Sequence, residues 1–523
     1  MELADTGNEA TPDWAVDRIR VRPGQSFLRF VMPVGFPEGE HGHRFEQRCE
    51  KLALSGKWVL LKGDSQSFLP HVRMHFNTVH HRDHRLAGGP PGETDALNPG
   101  DAFGYIFKSD GLRELSLPAR EFSFLVPGTL RRVAIEVTGV HLGIFRMGVG
   151  FISLEFTPAS KSLADWLDAL HFLRFYRARG RHLAAAGPAG PDTFRPENLL
   201  GALLAEAALD GETYPFPSSP PSDGAHVGRI RELYVPGELL TYVALFVDGI
   251  PRAGQRQFMY HALNRFRASS ESAPGEDYDL EKWCLAYQDS QHFLNSIQGS
   301  AFVAFDAPRT SFNSQTLPAH LGSTYYVLFL LALLQRFALD QVSEAVAWST
   351  GRVLAETEPS KARRELERVT ALDSRLLDFT GRCYFVQVSQ AEHHHRYYDR
   401  LREVNQIEDR YREVTDEVHA LRAHASSRVT VEEERTSLRV ATALMVITCV
   451  LLPLQVIEAL FSAKLPALPG IRDLSPVWSA VTAGLVLLVA IGIALLIIYG
   501  HRWTPHWRER AGDPGKGRLT QRL

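Results

Sequence analysis

Val440–Phe461 reads VATALMVITCVLLPLQVIEALF, an apolar run of the length that crosses the hydrocarbon layer of a bilayer, about 20 residues. A second apolar run, Val477–Tyr499, follows after a short loop, and a basic tail comes after that. The residues before about 437 read as soluble or helical. The expected fold class is therefore an α+β cytosolic domain, a long helical stalk and two C-terminal transmembrane α-helices.

Composition narrows the function classes. The formal net charge of −3 over 523 residues gives no global field for nucleic acid, so no nucleic-acid partner is expected. Cys49, Cys284, Cys383 and Cys449 are far apart, without a CxxC spacing, which points to a reducing compartment. The opening residues, MELADTGNEATPDW, have neither the basic n-region nor the apolar h-region of a cleaved signal peptide. The soluble part is therefore expected in the cytosol.

Upstream, residues 1–186 form a first α/β block. Its clearest stretch is Val133–Phe156, where Val133, Ile135 and Val137 alternate with polar residues and Met147-Gly148 punctuates two strand-like runs. Lys161–Arg179 is an amphipathic helix by its spacing of Leu163, Trp166, Leu167, Leu170 and Leu173. Gly187–Pro191 is a linker to a second α/β block, 187–318, with strands at Leu239–Val247 and Ala301–Phe305. Tyr325–Leu334, YYVLFLLALL, is too short to cross a membrane and reads as a helix buried on all sides.

Residues 319–439 are the expected stalk. From about Ala362 to Arg439 the chain has one glycine, Gly381, and no proline. Val404, Ile407, Tyr411, Val414, Val418 and Leu421 recur with 3-4-3-4-3 spacing, a coiled-coil-like seam that favours oligomerisation. A helix of roughly 75 residues at about 1.5 Å each would exceed about 100 Å and run into 440–461 as one rod.

The membrane pair carries its own topology signal. Basic residues at Arg435 and Arg439 precede the first run, and Arg502, Arg508, Arg510, Lys516, Arg518 and Arg522 crowd the tail 500–523. The positive-inside rule places both termini in the cytosol and the loop 462–476 outside, a multi-pass protein of the cell membrane with the lipid bilayer as partner. The second run, 477–499, has no ionisable residue and faces lipid. The first contains Thr448, Gln455 and Glu458, and Pro453 kinks it. At roughly 100° per residue with Thr448 as zero, Gln455 falls near −20°, Glu458 near −80° and Ser462 near −40°. Polar groups on one face of a membrane helix meet either a neighbouring helix or a water path, and the seam upstream favours a path enclosed by several copies.

This combination resembles the CorA-type divalent-cation transporters. Leu451-Leu-Pro-Leu-Gln455 is similar to that family's Phe-Leu-Pro-Leu-Thr stretch, and His501-Arg502-Trp503 to the Lys/Arg-Trp end of its last helix. The resemblance covers mainly residues 320–503. It implies a homo-oligomer, a pentamer as in that family, whose first membrane helix lines the pore with Met445, Thr448, Leu452, Gln455 and Ala459. It also implies a divalent cation as transported or regulatory ion; no other cofactor is expected. One motif departs. Where the family places Gly-Met-Asn at the pore mouth, this chain reads Ser462-Ala463-Lys464, and a ring of Lys464 would repel divalent cations.

Other candidate sites have plainer readings. His71, His75, His80, His81 and His84 lie among Arg73, Arg82 and Arg85, more in keeping with a basic loop than a metal site. His393, His394 and His395 are consecutive on a helix and point in three directions. Neither a P-loop nor the local signature of a nucleophile and base is present, so an enzyme is not expected. Two functions remain: an oligomeric channel or transporter, and a membrane-anchored sensor or effector whose α/β domain binds a cytosolic ligand or partner without selective cation transport.

Overall fold

Phe27–Gly35 is a strand buried at every one of its 9 positions, so it must lie inside a sheet covered on both faces. The computed structural model describes residues 19–37, 43–61, 67–75, 104–109, 121–177, 183–185, 193–194, 196–216, 228–270, 272, 274–275, 278–355 and 359–462, with Gly484 and Gly492 as isolated helical positions. Two compact units emerge: Met1–Thr350 with Val369–Ala420, and Gly351–Arg368 with Leu421–Leu523.

In chain order the principal elements begin with β1 (Phe27–Gly35), α1 (His43–Leu54), β2 (Gly104–Ser109), β3 (Glu121–Leu125), β4 (Arg132–Phe145) and β5 (Val149–Pro158). Next come α2 (Leu163–Leu173), α3 (Pro196–Ala207), β6 (Leu240–Asp248) and α4 (Arg252–Asn264). Strands β7 (Cys284–Gln288), β8 (Gln291–Ser296) and β9 (Gly299–Phe305) follow. The helices α5 (Tyr326–Ala355), α6 (Pro359–Arg382), α7 (Glu392–Val404) and α8 (Ile407–Ser462) complete the described chain.

The strands join in one large mixed sheet whose main path runs β7-β8-β9-β6-β1-β5-β4-β3. The two expected α/β blocks, read as parts of one α+β domain, share this sheet. β1, from the first stretch, pairs antiparallel with β6 from the second, while β6 lies parallel to β9. Periodicity within a stretch carries no signal for such long-range pairing. The expected hairpin is present as β4 and β5, antiparallel and turning at Arg146–Gly148. Gly148 adopts φ 74° in that turn, a region glycine enters without steric cost. At Gly150 a Cβ would come within 2.2 Å of the Phe36 ring, so only glycine allows that approach.

Alternation assigns the two faces of the sheet. Leu28, Phe30, Met32 and Val34 of β1 join the main apolar cluster, which includes Trp166 and Leu167 of α2, Leu203 of α3 and Phe258 of α4. On the opposite face the cross-strand register lines up Asn295, Ser300, Tyr242, Arg29 and Glu155 in one polar row. Tyr326 and Tyr397, both fully buried, cover that row. The Arg29 guanidinium lies 4.0 Å from the Tyr326 ring centre, is ion-paired with Glu155 and donates to the Gly322 carbonyl at 3.1 Å. Tyr242 donates to the Leu321 carbonyl at 2.6 Å. Leu321–Tyr325 is a π-helical turn. The row therefore supplies donors to two carbonyls in a turn whose hydrogen bonding differs from the regular i−4 pattern.

Tyr325–Leu334 is buried throughout, each residue at most 2% exposed. Among the described residues, one helical stretch, Phe312–Val353, is long and apolar enough to cross a membrane by length and composition, and 72% of its most apolar part is buried inside the fold. Burial of this kind is that of a core helix.

The expected unbroken rod from Ala362 is corrected. The chain leaves helix after Arg382, where Gln335 donates to the Cys383 carbonyl at 2.7 Å and Leu69 donates to the Val388 carbonyl at 2.9 Å. It breaks again at Asn405-Gln406, where Gln406 takes φ 53°. Helix α8 then continues without interruption past residue 440 to Ser462.

Arg29→Met leaves Glu155 without its cation on a covered sheet face, and loss of such a partner costs about 3 kcal/mol. We expect a clearly lower melting midpoint for the full chain in detergent, partly restored by the double change Arg29→Met with Glu155→Leu. A wild-type midpoint for Arg29→Met alone would contradict this assignment.

Candidate functional site

The polar face predicted for the first apolar run lies on the C-terminal half of α8. No residue of 440–449 is buried: Val440, Leu444, Met445 and Ile447 are 50–59% exposed, and Thr448 is exposed with them. Leu451 and Leu452 continue the pattern, and Gln455 is exposed. Contiguous exposed apolar surface on this scale requires a cover other than water. The Thr448 hydroxyl donates to the Leu444 carbonyl at 2.8 Å, so its proton is used within the helix and its oxygen faces outward as an acceptor. Thr442 donates in the same way to Leu438 at 2.7 Å. Pro453 lies within the continuous helix.

Several expected site residues lie outside the described residues. They are Lys464, the run 477–499 apart from Gly484 and Gly492, the tail, the loop 463–476, the linker Gly187–Pro191 and His80, His81 and His84. The backbone of Glu458, Ala459 and Ser462 is helical. Among the described residues, no group of His, Cys, Asp and Glu is placed to hold a metal ion. His71 is exposed, and His394 is buried against the Tyr325 ring at 4.9 Å.

The seam residues have a different outcome from the one expected. Val404, Ile407, Val414, Val418 and Leu421 are buried within a single chain, at 9% exposure or less. Tyr411 stacks on Tyr384, with centroids 4.3 Å apart. The first turns of α8 bond to α5 and α6: Arg410 pairs with Asp340, and the Tyr411 and Thr380 hydroxyls lie 3.2 Å apart. The apolar spacing is thus filled by helices of the same chain, and it does not by itself call for a second copy.

No protein-family model matches the chain, and no curated protein does. Two solved structures are similar over half of it. The full-length CmaX protein is 15% identical, over 51% of this chain and 90% of that one, with a TM-score of 0.21. The CorA magnesium transporter from Methanocaldococcus jannaschii is 12% identical, over 50% and 91%, with a TM-score of 0.23. At these scores the likeness says nothing further about this chain.

A second site escaped the sequence reading. A cavity of about 760 Å³ opens beside the β4–β5 turn, and its lining includes Arg44, Arg48, Arg146, Arg375 and Arg382 with Asp378. Arg44 and Arg48 come from α1, Arg146 from the turn, and Arg375 and Arg382 from α6. They are scattered over more than three hundred positions, so no local motif could announce them. Arg48 holds Glu212 through two hydrogen bonds, 2.8 and 2.9 Å, and lies 4.0 Å from the Phe36 ring centre. Arg44 reaches the same carboxylate at 3.4 Å.

The buried His141 beside Tyr326, ring centres 5.4 Å apart, has a pH consequence. Burial pushes its imidazole well below the ordinary 6.5, and Arg29 and Lys108 push the same way. Folded His141 therefore stays neutral where the unfolded residue takes up a proton. The associated stability is present above about pH 6.5 and is lost as pH falls toward the folded value. His141→Gln should flatten the decline of the unfolding free energy below that pH, by up to about 1.4 kcal/mol per pH unit. An unchanged slope would contradict the assignment.

Proposed function

We propose that this chain is a CorA-like oligomeric membrane channel or transporter whose helix α8 carries residues 440–461 through the bilayer. In this reading the run 477–499 is a second membrane helix on the lipid side. Both termini lie in the cytosol, and several copies enclose a path lined by Met445, Thr448, Leu452, Gln455, Glu458, Ala459 and Ser462. The observation that carries it is the exposure of the apolar stretch of α8, with Thr448 and Gln455 set at nearly the same angle within it. Lipid on the apolar side and water on the polar side satisfy both kinds of surface, whereas one chain alone cannot enclose a pore. The outward lone pairs of Thr448 suit a cation or its hydration water better than an anion.

Selectivity for divalent cations does not follow, because Lys464 stands where a pore mouth would gather them. That same residue favours the second reading, a membrane-anchored sensor or effector whose soluble domain binds a ligand without selective transport. Neither reading needs an enzymatic step.

Reconstitution in liposomes, with Mg²⁺, Ni²⁺, K⁺ and Cl⁻ flux measured for wild type, Gln455→Leu and Lys464→Asn, separates the two. The pore reading predicts flux that falls in Gln455→Leu and a cation flux about tenfold higher in Lys464→Asn, the scale on which a charged constriction alters local ion concentration. Absence of flux for every ion in all three proteins would sink it in favour of the sensor.

A further inference from the structure

We propose that a smaller cleft, between α5 and the end of β1, binds a small aromatic carboxylate, with its carboxylate on Arg229 and its ring on the Trp348 indole. The inference is independent of whether α8 conducts.

Helical spacing builds one wall. Gln341, Glu344, Ala345 and Trp348 recur along α5 at i, i+3, i+4 and i+7, so they share one face of the helix, and all four line a cleft of about 300 Å³. Pro37, Arg229 and Arg231 line it as well. The backbone of Arg231 is fixed by pairing with Gly35 of β1, and that of Arg229 by pairing with Thr213. The volume lies at the lower end of small-molecule sites, about 300–1,000 Å³, which suits one ring with a short acidic arm.

The polar groups of the lining define the anion. Arg231 is occupied by Glu344, whose two carboxylate oxygens both accept from it at 2.8 Å. Arg375 donates to the Met147 carbonyl and to Gln341 Oε1. Arg229 is exposed and, among the described residues, its guanidinium has neither a carboxylate nor another acceptor. A guanidinium with its parallel donors unfilled takes a carboxylate through two hydrogen bonds, and one such cation matches a single negative charge. A second donor also lacks an acceptor. Gln341 is 6% exposed, and its Nε2 has no partner among the described residues. The ring follows from Trp348, which is 70% exposed, with Ala345 and Pro37 in the same lining. An open indole face takes a flat ring in offset or edge contact. An inorganic anion leaves that face in water and a neutral ring leaves Arg229 unfilled, whereas an aromatic carboxylate meets both.

Titration calorimetry on the full chain in detergent tests this with phenylacetate, phenylacetamide and acetate. Arg229 and Trp348 are both exposed, so Arg229→Gln and Trp348→Ala leave the core intact. Arg252→Gln, at a side chain 89% exposed and outside the cleft lining, is the control. Phenylacetate is expected to bind saturably with a Kd near about 1 mM, ordinary for a ligand of its size. Its affinity should fall about tenfold in Arg229→Gln, the scale of one charge-assisted hydrogen bond, fall several-fold in Trp348→Ala, and stay at the wild-type value in Arg252→Gln. Phenylacetamide and acetate should each bind about tenfold more weakly than phenylacetate. No saturation by phenylacetate below about 10 mM would overturn the proposal. So would an affinity that neither cleft substitution changes, or phenylacetamide binding as tightly as the acid.

Discussion

The ion pair between Arg29 and Glu155 is the constraint around which the first compact unit is arranged. A guanidinium only 3% exposed cannot remain without a counter-charge and a full set of acceptors. Glu155 supplies the charge from the neighbouring strand, Gly322 supplies a carbonyl, and the Tyr326 ring supplies its face. Those partners come from residues 155, 322 and 326, so satisfying one side chain fixes the π-helical turn against the sheet. The same row continues through Tyr242 to Ser300 and Asn295. There the Tyr397 hydroxyl donates to Ser300 at 2.9 Å, and Ser300 donates to Asn295 at 2.6 Å. Apolar burial gives this unit most of its stability, while the polar row determines which register and which helix position are allowed.

The opposite condition holds on the C-terminal half of α8. There the apolar side chains have no cover among the described residues, and the polar ones share an angular sector. The first fact asks for lipid or another copy, and the second asks for water. A membrane pore between copies answers both, which is why the proposed function rests on this helix.

What the sequence made legible follows from the range of the forces involved. The β4–β5 hairpin, the helix at Leu163–Leu173, the buried run Tyr325–Leu334 and the passage of α8 through residue 440 all depend on local spacing, and all could be read. The single sheet could not, since β1 joins β6 across some two hundred intervening residues and nothing local distinguishes that partner from another strand. The seam at Val414 and Val418 was legible as an apolar stripe but not as one filled by helices of the same chain. Periodicity reports that a face is covered and not what covers it. The break at Gln406 was invisible for a different reason: a glutamine in the left-handed region leaves no compositional trace. The arginine cavity was hidden because its parts meet only after folding.

The central claim is that the face of α8 carrying Thr448 and Gln455 borders water inside a bilayer. Single cysteines introduced at Thr448, Leu452 and Gln455, and at Val446, Val450 and Ile457 on the opposite face, test it in a Cys449→Ala background. The protein is labelled in sealed membranes with a charged, membrane-impermeant thiol reagent. The account predicts labelling at the first three positions and none at the second three. Equal labelling of both faces, or protection of the polar face, would contradict it.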